Sequence, residues 1–247
     1  MSALRLQFLG SGDAFGNGGR FQACILVTSA EGSLLIECGA SSLVALKKAS
    51  IDPNAIDAVV ISHFHGDHFG GVPFLILDGQ FAKRDRPLVV AGPPGVEGRV
   101  RAAFDALFPG SAATPRAFGP SYVDLEGGAV AAVGPARVTA IPVRHTPGTD
   151  AHGLRVELGG HVIGYSGDTA WTDALIEIAE GTDAFICECY TMSRQIPMHL
   201  DAKAIVANRR SLNTQRLVLT HFGPEMLTAG HFAGATIAHD GLVVTIE

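Results

Sequence analysis

A layered α/β fold with at least two β-sheets is the architecture the sequence predicts. Three observations carry it: eleven short β-type runs, five helix-period segments lying between them, and an apolar fraction of 47% against 17% charged residues. The same composition excludes disorder, a collagen repeat and a disulfide-dense miniprotein. A chain of 247 residues is read as one unit spanning 1–247, because layered α/β folds often reach about 250 residues undivided.

In chain order the β-type runs fall at 4–9, 21–28, 33–37, 58–62 and 87–91, then at 137–143, 153–158, 161–166, 184–187, 216–220 and 242–246. Helical periodicity marks 42–49, 72–77, 96–107, 172–180 and 200–211, with Thr172 as a candidate N-cap and Gly181 as a C-terminal stop. The glycine-rich run from Gly10 to Gly19 lacks the Gly-Lys-Ser/Thr ending of a phosphate loop and leads into a strand pattern, so it reads as a tight connection between strands. The stretch 92–134 is rich in Gly, Pro and Ala. It carries its own helix pattern and has chemistry-bearing residues on both sides, so it reads as the crossing between two similar halves.

Eighteen Lys and Arg against 24 Asp and Glu leave a net charge of −6. The basic pairs Lys47-Lys48, Lys83-Arg84 and Arg209-Arg210 are scattered, so a dedicated nucleic-acid or membrane-surface partner is not expected. Residues 1–9 lack the apolar core of a secretion signal, and no stretch approaches the ~20 apolar residues of a membrane span, which predicts a cytoplasmic location. Cys24, Cys38, Cys187 and Cys189 lie inside apolar runs and read as buried thiols, with a metal or redox role for Cys187 and Cys189 as the alternative.

One stretch outweighs the rest. Directly after the strand at 58–62 come His63, His65, Asp67 and His68, four metal-binding side chains within six residues. They cannot all face one side of a strand or helix, so the segment must be a loop wrapped around something. Desolvating three imidazoles and a carboxylate together is costly without a cation to share. These donors suit Zn2+, with Mn2+ or Fe2+ also compatible, and the lack of cysteine in the motif argues against a structural thiolate site. Each ion takes at least three protein ligands, so one loop cannot fill two sites. His145, Asp168 and His221 are each the first ligand-capable residue beyond an apolar run, where layered α/β folds place their catalytic groups. Together they describe seven ligands for two divalent ions.

These residues carry a resemblance. Phe8-Leu9-Gly10-Ser11-Gly12, Leu35-Ile36-Glu37-Cys38-Gly39, the segment from His63 to His68, Ser166-Gly167-Asp168-Thr169 and Leu219-Thr220-His221-Phe222 resemble the boxes of the metallo-β-lactamase fold superfamily, and within it the ribonuclease Z-like phosphodiesterases. The match covers nearly the full chain. It implies a four-layer αβ/βα sandwich with the site at one edge between the sheets, and a homodimer. It also implies His63, His65 and His145 on a first metal, Asp67, His68 and His221 on a second, and Asp168 bridging both, with Asp67 counted among the catalytic residues. His199, 22 residues before His221 and at the start of the segment 200–211, is similar in place to the histidine that protonates the departing oxygen in that group. Glu188 resembles its partner glutamate, although the box here reads Cys187-Glu188-Cys189-Tyr190 where the family has His-Glu-Ala-Thr. A carboxylate neighbour would raise such a histidine toward useful acidity at neutral pH. His152, His161, His231 and His239 read as structural or surface residues.

Bacterial ribonuclease Z inserts a long tRNA-gripping arm between the positions matching His145 and Asp168; here they are 23 residues apart. With the acidic charge, the missing arm predicts a small substrate, in the pattern of the cyclic phosphodiesterases of phosphonate degradation. The expected activity is hydrolysis of a small phosphodiester, cyclic forms included, by a hydroxide bridging two metals. The alternatives are a lactone, thioester or lactam hydrolase on the same fold, ribonuclease Z-like RNA processing, and a non-catalytic metal-loaded binding protein. His65 disfavours a flavo-diiron role, since those proteins carry an acidic residue there.

Overall fold

The computed structural model describes residues 3–228 and 232–247. Its strands are β1 (Leu4–Gly10), β2 (Cys24–Ser29), β3 (Gly32–Ile36), β4 (Ala58–Val60), β5 (Val89–Gly92), β6 (Ser121–Asp124), β7 (Val130–Val133), β8 (Ala136–Pro142), β9 (His152–Leu158), β10 (His161–Tyr165), β11 (Ala184–Glu188), β12 (Leu217–Thr220), β13 (Thr236–Ile237) and β14 (Val243–Ile246). The α-helices are α1 (Ser42–Lys48), α2 (Gly66–Phe69), α3 (Val72–Phe81), α4 (Val96–Leu107), α5 (Ala174–Ala179), α6 (Ala202–Asn208) and α7 (Pro224–Leu227). Two sheets form, in the orders β14-β1-β2-β3-β4-β5-β6 and β13-β12-β11-β10-β9-β8-β7.

The period of two along each strand divides its side chains between layers. Leu34, Ile36 and Val60 of the first sheet meet Val138, Leu154, Ile163, Ile186 and Val218 of the second in a core between the sheets. Leu35, Val59 and Val90 turn the other way, against Leu46, Leu75, Val100 and Phe104 of α1, α3 and α4. Phe185, Leu217 and Leu219 likewise meet Ile178 and Ile205 of α5 and α6. Strands buried on both faces read as continuous apolar runs, which is why the central ones were visible in the sequence. The arrangement is the αβ/βα sandwich of the metallo-β-lactamase fold.

All eleven expected strands are present, and three more were missed: β6, β7 and β13. Each of the three lies at a sheet edge, where a strand needs less apolar sequence. β6 (Ser-Tyr-Val-Asp) has no fully buried residue, β7 (Val-Ala-Ala-Val) is half alanine, and β13 has two residues. Thr172 is not the cap of α5: Asp173 holds that position without a side-chain bond, and Thr172 contributes its carbonyl to Leu175 N. The segment expected at 200–211 starts at Ala202, because the Asp201 side chain accepts from Ala204 N and sets the N-terminus there. His199 therefore sits in the loop before the helix. The 63–68 segment is a loop only in its first half, since Gly66 begins the single turn of α2.

The glycine-rich run 10–19 is closed internally: the Asp13 carboxylate accepts from the backbone N–H groups of Phe15 and Asn17 and from Asn17 Nδ2. That agrees with a tight connection. The four cysteines are free and buried, and burial pushes the Cys24 thiol up to about 12. Among the described residues no helix is long and apolar enough to cross a membrane.

Candidate metal centre

Strand ends supply the cluster. His63 follows β4, His65 precedes α2, and the turn of α2 carries Asp67 and His68. His145 follows β8, Asp168 follows β10, Glu188 ends β11 and His221 follows β12. Two glycines permit the close approaches. A Cβ on Gly39 would lie 2.3 Å from the Asp67 carbonyl oxygen, and one on Gly167, at φ +59°, would lie 2.7 Å from that of His152. Glu37, Met198 and His221 also adopt positive φ, at 63°, 68° and 59°. Holding a non-glycine residue there costs about 1–3 kcal/mol, and all three of these touch the cluster.

In the first group, His65 Nδ1 lies 3.0 Å from His63 Nε2 and 3.2 Å from His145 Nε2. The outer nitrogens are occupied: His145 Nδ1–H donates to the Met198 carbonyl at 2.9 Å, and His63 Nδ1 is 3.0 Å from Ser62 Oγ. With its proton on Nδ1, His145 presents a bare lone pair at Nε2. Three converging ring nitrogens cannot satisfy one another, and a cation is the partner that can. Burial lowers the pKa of His63, His65 and His145, holding them in the neutral form that ligates.

The second group brings two carboxylates to two imidazoles. His68 Nε2 is 3.3 Å from Asp67 Oδ2 and from Asp168 Oδ2, and His221 Nε2 is 3.3 Å and 3.4 Å from the same two oxygens. Burial works against charge throughout, but the contacts prevail. His68 and His221 hold Asp67 well below the usual carboxylate range, and His221 is itself raised to about 9 by Asp168 and Asp67. Protons here balance charge that a divalent cation would balance equally well, so metal loading would release them. Asp168 Oδ1 is buried with no hydrogen-bond partner among the described residues, which leaves it free to act as a ligand atom. Within each group the ligand atoms lie within 4.8 Å of one another, and both sets fit a divalent ion in donor chemistry and spacing.

The supporting contacts were not foreseen. Glu37 accepts from Ser62 N and places Oε1 3.2 Å from His68 Nδ1, while Met198 acts through a backbone carbonyl. Metal is expected to stabilise the fold: at a hundredfold excess over Kd, binding to the native state contributes about 2.7 kcal/mol, or roughly 5–10 °C in Tm. Calorimetry with and without EDTA measures this, and an identical Tm in both would argue against an internal metal centre.

His199 lies against this cluster. Its Nδ1 is 3.0 Å from Glu188 Oε2, and Glu188 Oε1 accepts from Thr169 N. The ring stacks on Tyr190 at 4.9 Å and on His221 at 5.8 Å between centroids. Burial lowers its pKa, but the hydrogen bond and charge of Glu188, with the charge of Asp168, raise it above the ordinary imidazole value. The His199 side chain is 22% exposed and that of Glu188 1%, so His199 can meet a substrate, whereas Glu188 acts through His199 and through His221, whose Nδ1 is 3.9 Å from its Oε2. The other described histidines join neither group: His152 is buried, His161 lies 3.5 Å from Asp183, and His239 is exposed. His231 lies outside the described residues.

Comparison with known proteins agrees with the geometry. The family model described as "Anti-Pycsar protein Apyc1" matches residues 4–239. Ribonuclease Z of Mycobacterium bovis is 27% identical over 90% of this chain and 86% of its own length, and that of Mycobacterium tuberculosis 28% identical over the same shares. Among solved structures, the metallo-β-lactamase fold protein YhfI from Bacillus subtilis superposes with a TM-score of 0.79 at 23% identity, covering 99% of this chain and all of that one. The short form of human tRNase Z gives 0.78 at 21% identity, covering 97% and 98%. A diphosphatase of the PhnP family gives 0.77 at 18% identity, covering 99% and 98%. These structural likenesses establish the fold.

Proposed function

The chain belongs to the anti-Pycsar protein Apyc1 family, and on that premise we propose that it is a dinuclear metal-dependent phosphodiesterase acting on a small diester, cyclic forms included. His63, His65 and His145 would hold one ion and Asp67, His68 and His221 the other, with Asp168 offering one oxygen to each. Zn2+ suits this nitrogen-rich donor set. When bound, such ions polarise a phosphoryl oxygen and make water acidic enough to ionise near neutral pH.

The chain's own groups then divide the work. Glu188 fixes the Nδ1–H of His199, which leaves Nε2 as the atom that carries the transferable proton. As water oxygen bonds to phosphorus and the ester P–O bond breaks, that proton passes to the departing alkoxide, giving a phosphomonoester and a free hydroxyl. The observation that carries the reading is the pairing of His199 with Glu188 at 3.0 Å, its ring 5.3 Å from that of His145 and 5.8 Å from that of His221, which supports a general-acid role for it. Between His145 and Asp168 the chain forms β9, β10 and their turns with no inserted arm, which supports a small substrate.

The test is a substrate comparison on metal-loaded protein. Turnover of bis(p-nitrophenyl) phosphate and of a cyclic phosphodiester is expected to exceed turnover of nitrocefin or a glutathione thioester by more than about a hundredfold, a difference of about 2.7 kcal/mol in transition-state stabilisation. Activity confined to the lactam or thioester would refute the reading. Two bound ions with no turnover of any of the four would favour a metal-loaded binding protein.

A further inference from the structure

Among the described residues the His199 imidazole has one hydrogen bond, from its Nδ1 to Glu188 Oε2 at 3.0 Å. That contact fixes one corner of the ring and leaves its plane undetermined, because the outer torsion of a histidine has no sharp staggered minimum. Turned about the line from Nδ1 to Oε2, the ring sweeps Nε2 along an arc, and only part of that arc faces the departing oxygen. The plane must be set by another contact. Tyr190 lies against it face to face, with 4.9 Å between centroids and 30° between planes, whereas the rings of His145 and His221 are 5.3 Å and 5.8 Å away.

Tyr190 is itself held on several sides. It stands two residues beyond Glu188, so the strand end that presents the acid's partner presents this ring as well. Its N–H donates to the Leu200 carbonyl at 2.8 Å and its carbonyl accepts from Gly223 N at 2.9 Å, which ties it to the loop of His199 and to the loop of His221. Gly223 gives the ring its room: a Cβ there would lie 2.8 Å from the Tyr190 carbonyl oxygen and 3.2 Å from Cζ. At its far end the Tyr190 hydroxyl donates to the buried carboxylate of Asp13, in the closed run 10–19. The metal groups do not call for any of this. Tyr190 belongs to neither of them, and the family's box carries at this position a threonine, which has no flat face to offer.

We infer that Tyr190 is the positioning residue of the general acid: its ring is the surface that fixes the plane of the His199 imidazole and so the direction in which Nε2 points. The inference rests on the phosphodiesterase reading, and the experiment separates the two. Tyr190→Phe keeps the flat face and loses the hydroxyl, while Tyr190→Leu and Tyr190→Thr lose the face. The three variants and wild type, each metal-loaded, are assayed on ethylene phosphate, whose leaving group is an alkoxide, and on bis(p-nitrophenyl) phosphate. On ethylene phosphate both non-aromatic variants should lower kcat by about a hundredfold, the cost of misplacing a reacting group by ~1 Å, with KM unchanged. On bis(p-nitrophenyl) phosphate they should match wild type, since that leaving group needs no proton. Tyr190→Phe should retain most of the wild-type kcat on both, and in a His199→Ala background Tyr190→Leu should cost nothing further.

Wild-type kcat on ethylene phosphate in both non-aromatic variants overturns the assignment. So do equal losses on the two substrates, a further loss in the His199→Ala background, or a metal content below that of wild type, since Tyr190 would then serve the fold or His221. A wild type that turns over neither diester overturns the phosphodiesterase reading instead. The ring plane is then read by NMR of histidine-labelled protein, with the His199 signal assigned through His199→Ala. A sharp single signal in wild type and Tyr190→Phe that broadens or doubles in Tyr190→Leu supports the positioning role, and one that stays single and sharp in Tyr190→Leu overturns it.

Discussion

Replacing Asp168 by alanine is expected to lower phosphodiester turnover by at least about a thousandfold and to bring the metal content below two ions per chain. Its Oδ2 stands between His68 Nε2 and His221 Nε2 at 3.3 Å and 3.4 Å, and its Oδ1 is the buried oxygen without a protein partner. Truncation takes one of the two carboxylates away from the Nε2 atoms of two buried imidazoles and leaves Asp67 as the remaining one there, with Glu37 behind His68 and Glu188 behind His221. Breaking a buried charge cluster from one side costs about 3–5 kcal/mol, and each 1.36 kcal/mol lost from the transition state is tenfold in rate. Asp168→Asn separates charge from shape: it fills the same volume, so packing survives, while the charge that raises His68 and His221 is gone. Elemental analysis and steady-state kinetics on both variants measure the outcome. Two ions per chain with kcat near wild type in Asp168→Asn would remove this residue from the mechanism.

The seven residues that the fold gathers into two groups were readable in the sequence because their signals are local or positional. His63, His65, Asp67 and His68 fall within six residues, a density that a soluble surface or core does not otherwise need. His145, Asp168 and His221 needed only the rule that active groups follow the ends of apolar strands. What stayed hidden acts by backbone or at a distance. Met198 orients His145 through a carbonyl, which every residue owns, and its left-handed φ has no signature in a methionine. Glu37 looks like the polar end of a strand until the fold sets it 3.2 Å from His68. The edge strands β6, β7 and β13 were lost for the converse reason, since a half-exposed strand carries little of the apolar pattern that betrays the central ones. The sequence put His199 at a helix start, and it is the Asp201 cap that moves that start to Ala202, three residues beyond it.

Loss of the His199 imidazole should separate chemistry from metal binding. His199→Ala is expected to keep both ions, because none of the first group depends on it and its Nδ1 is 3.9 Å from Asp168 Oδ2. On a diester with an alkoxide leaving group, kcat should fall by about 10²–10⁴, the usual contribution of a positioned general acid. On bis(p-nitrophenyl) phosphate the fall should stay within about tenfold, since p-nitrophenolate departs without a proton and gives a general acid little to do. Glu188→Gln probes the same step through pH. The charge of Glu188 raises the His199 pKa, so wild-type turnover persists up to that raised value and declines as pH climbs through it. Without the carboxylate the imidazole gives up its proton at lower pH, and the basic limb of the kcat profile should move down accordingly. A purely structural role for Glu188 would lower activity at every pH and leave the limb in place. Equal losses on both leaving groups in His199→Ala would show that this histidine serves binding or metal retention and donates no proton.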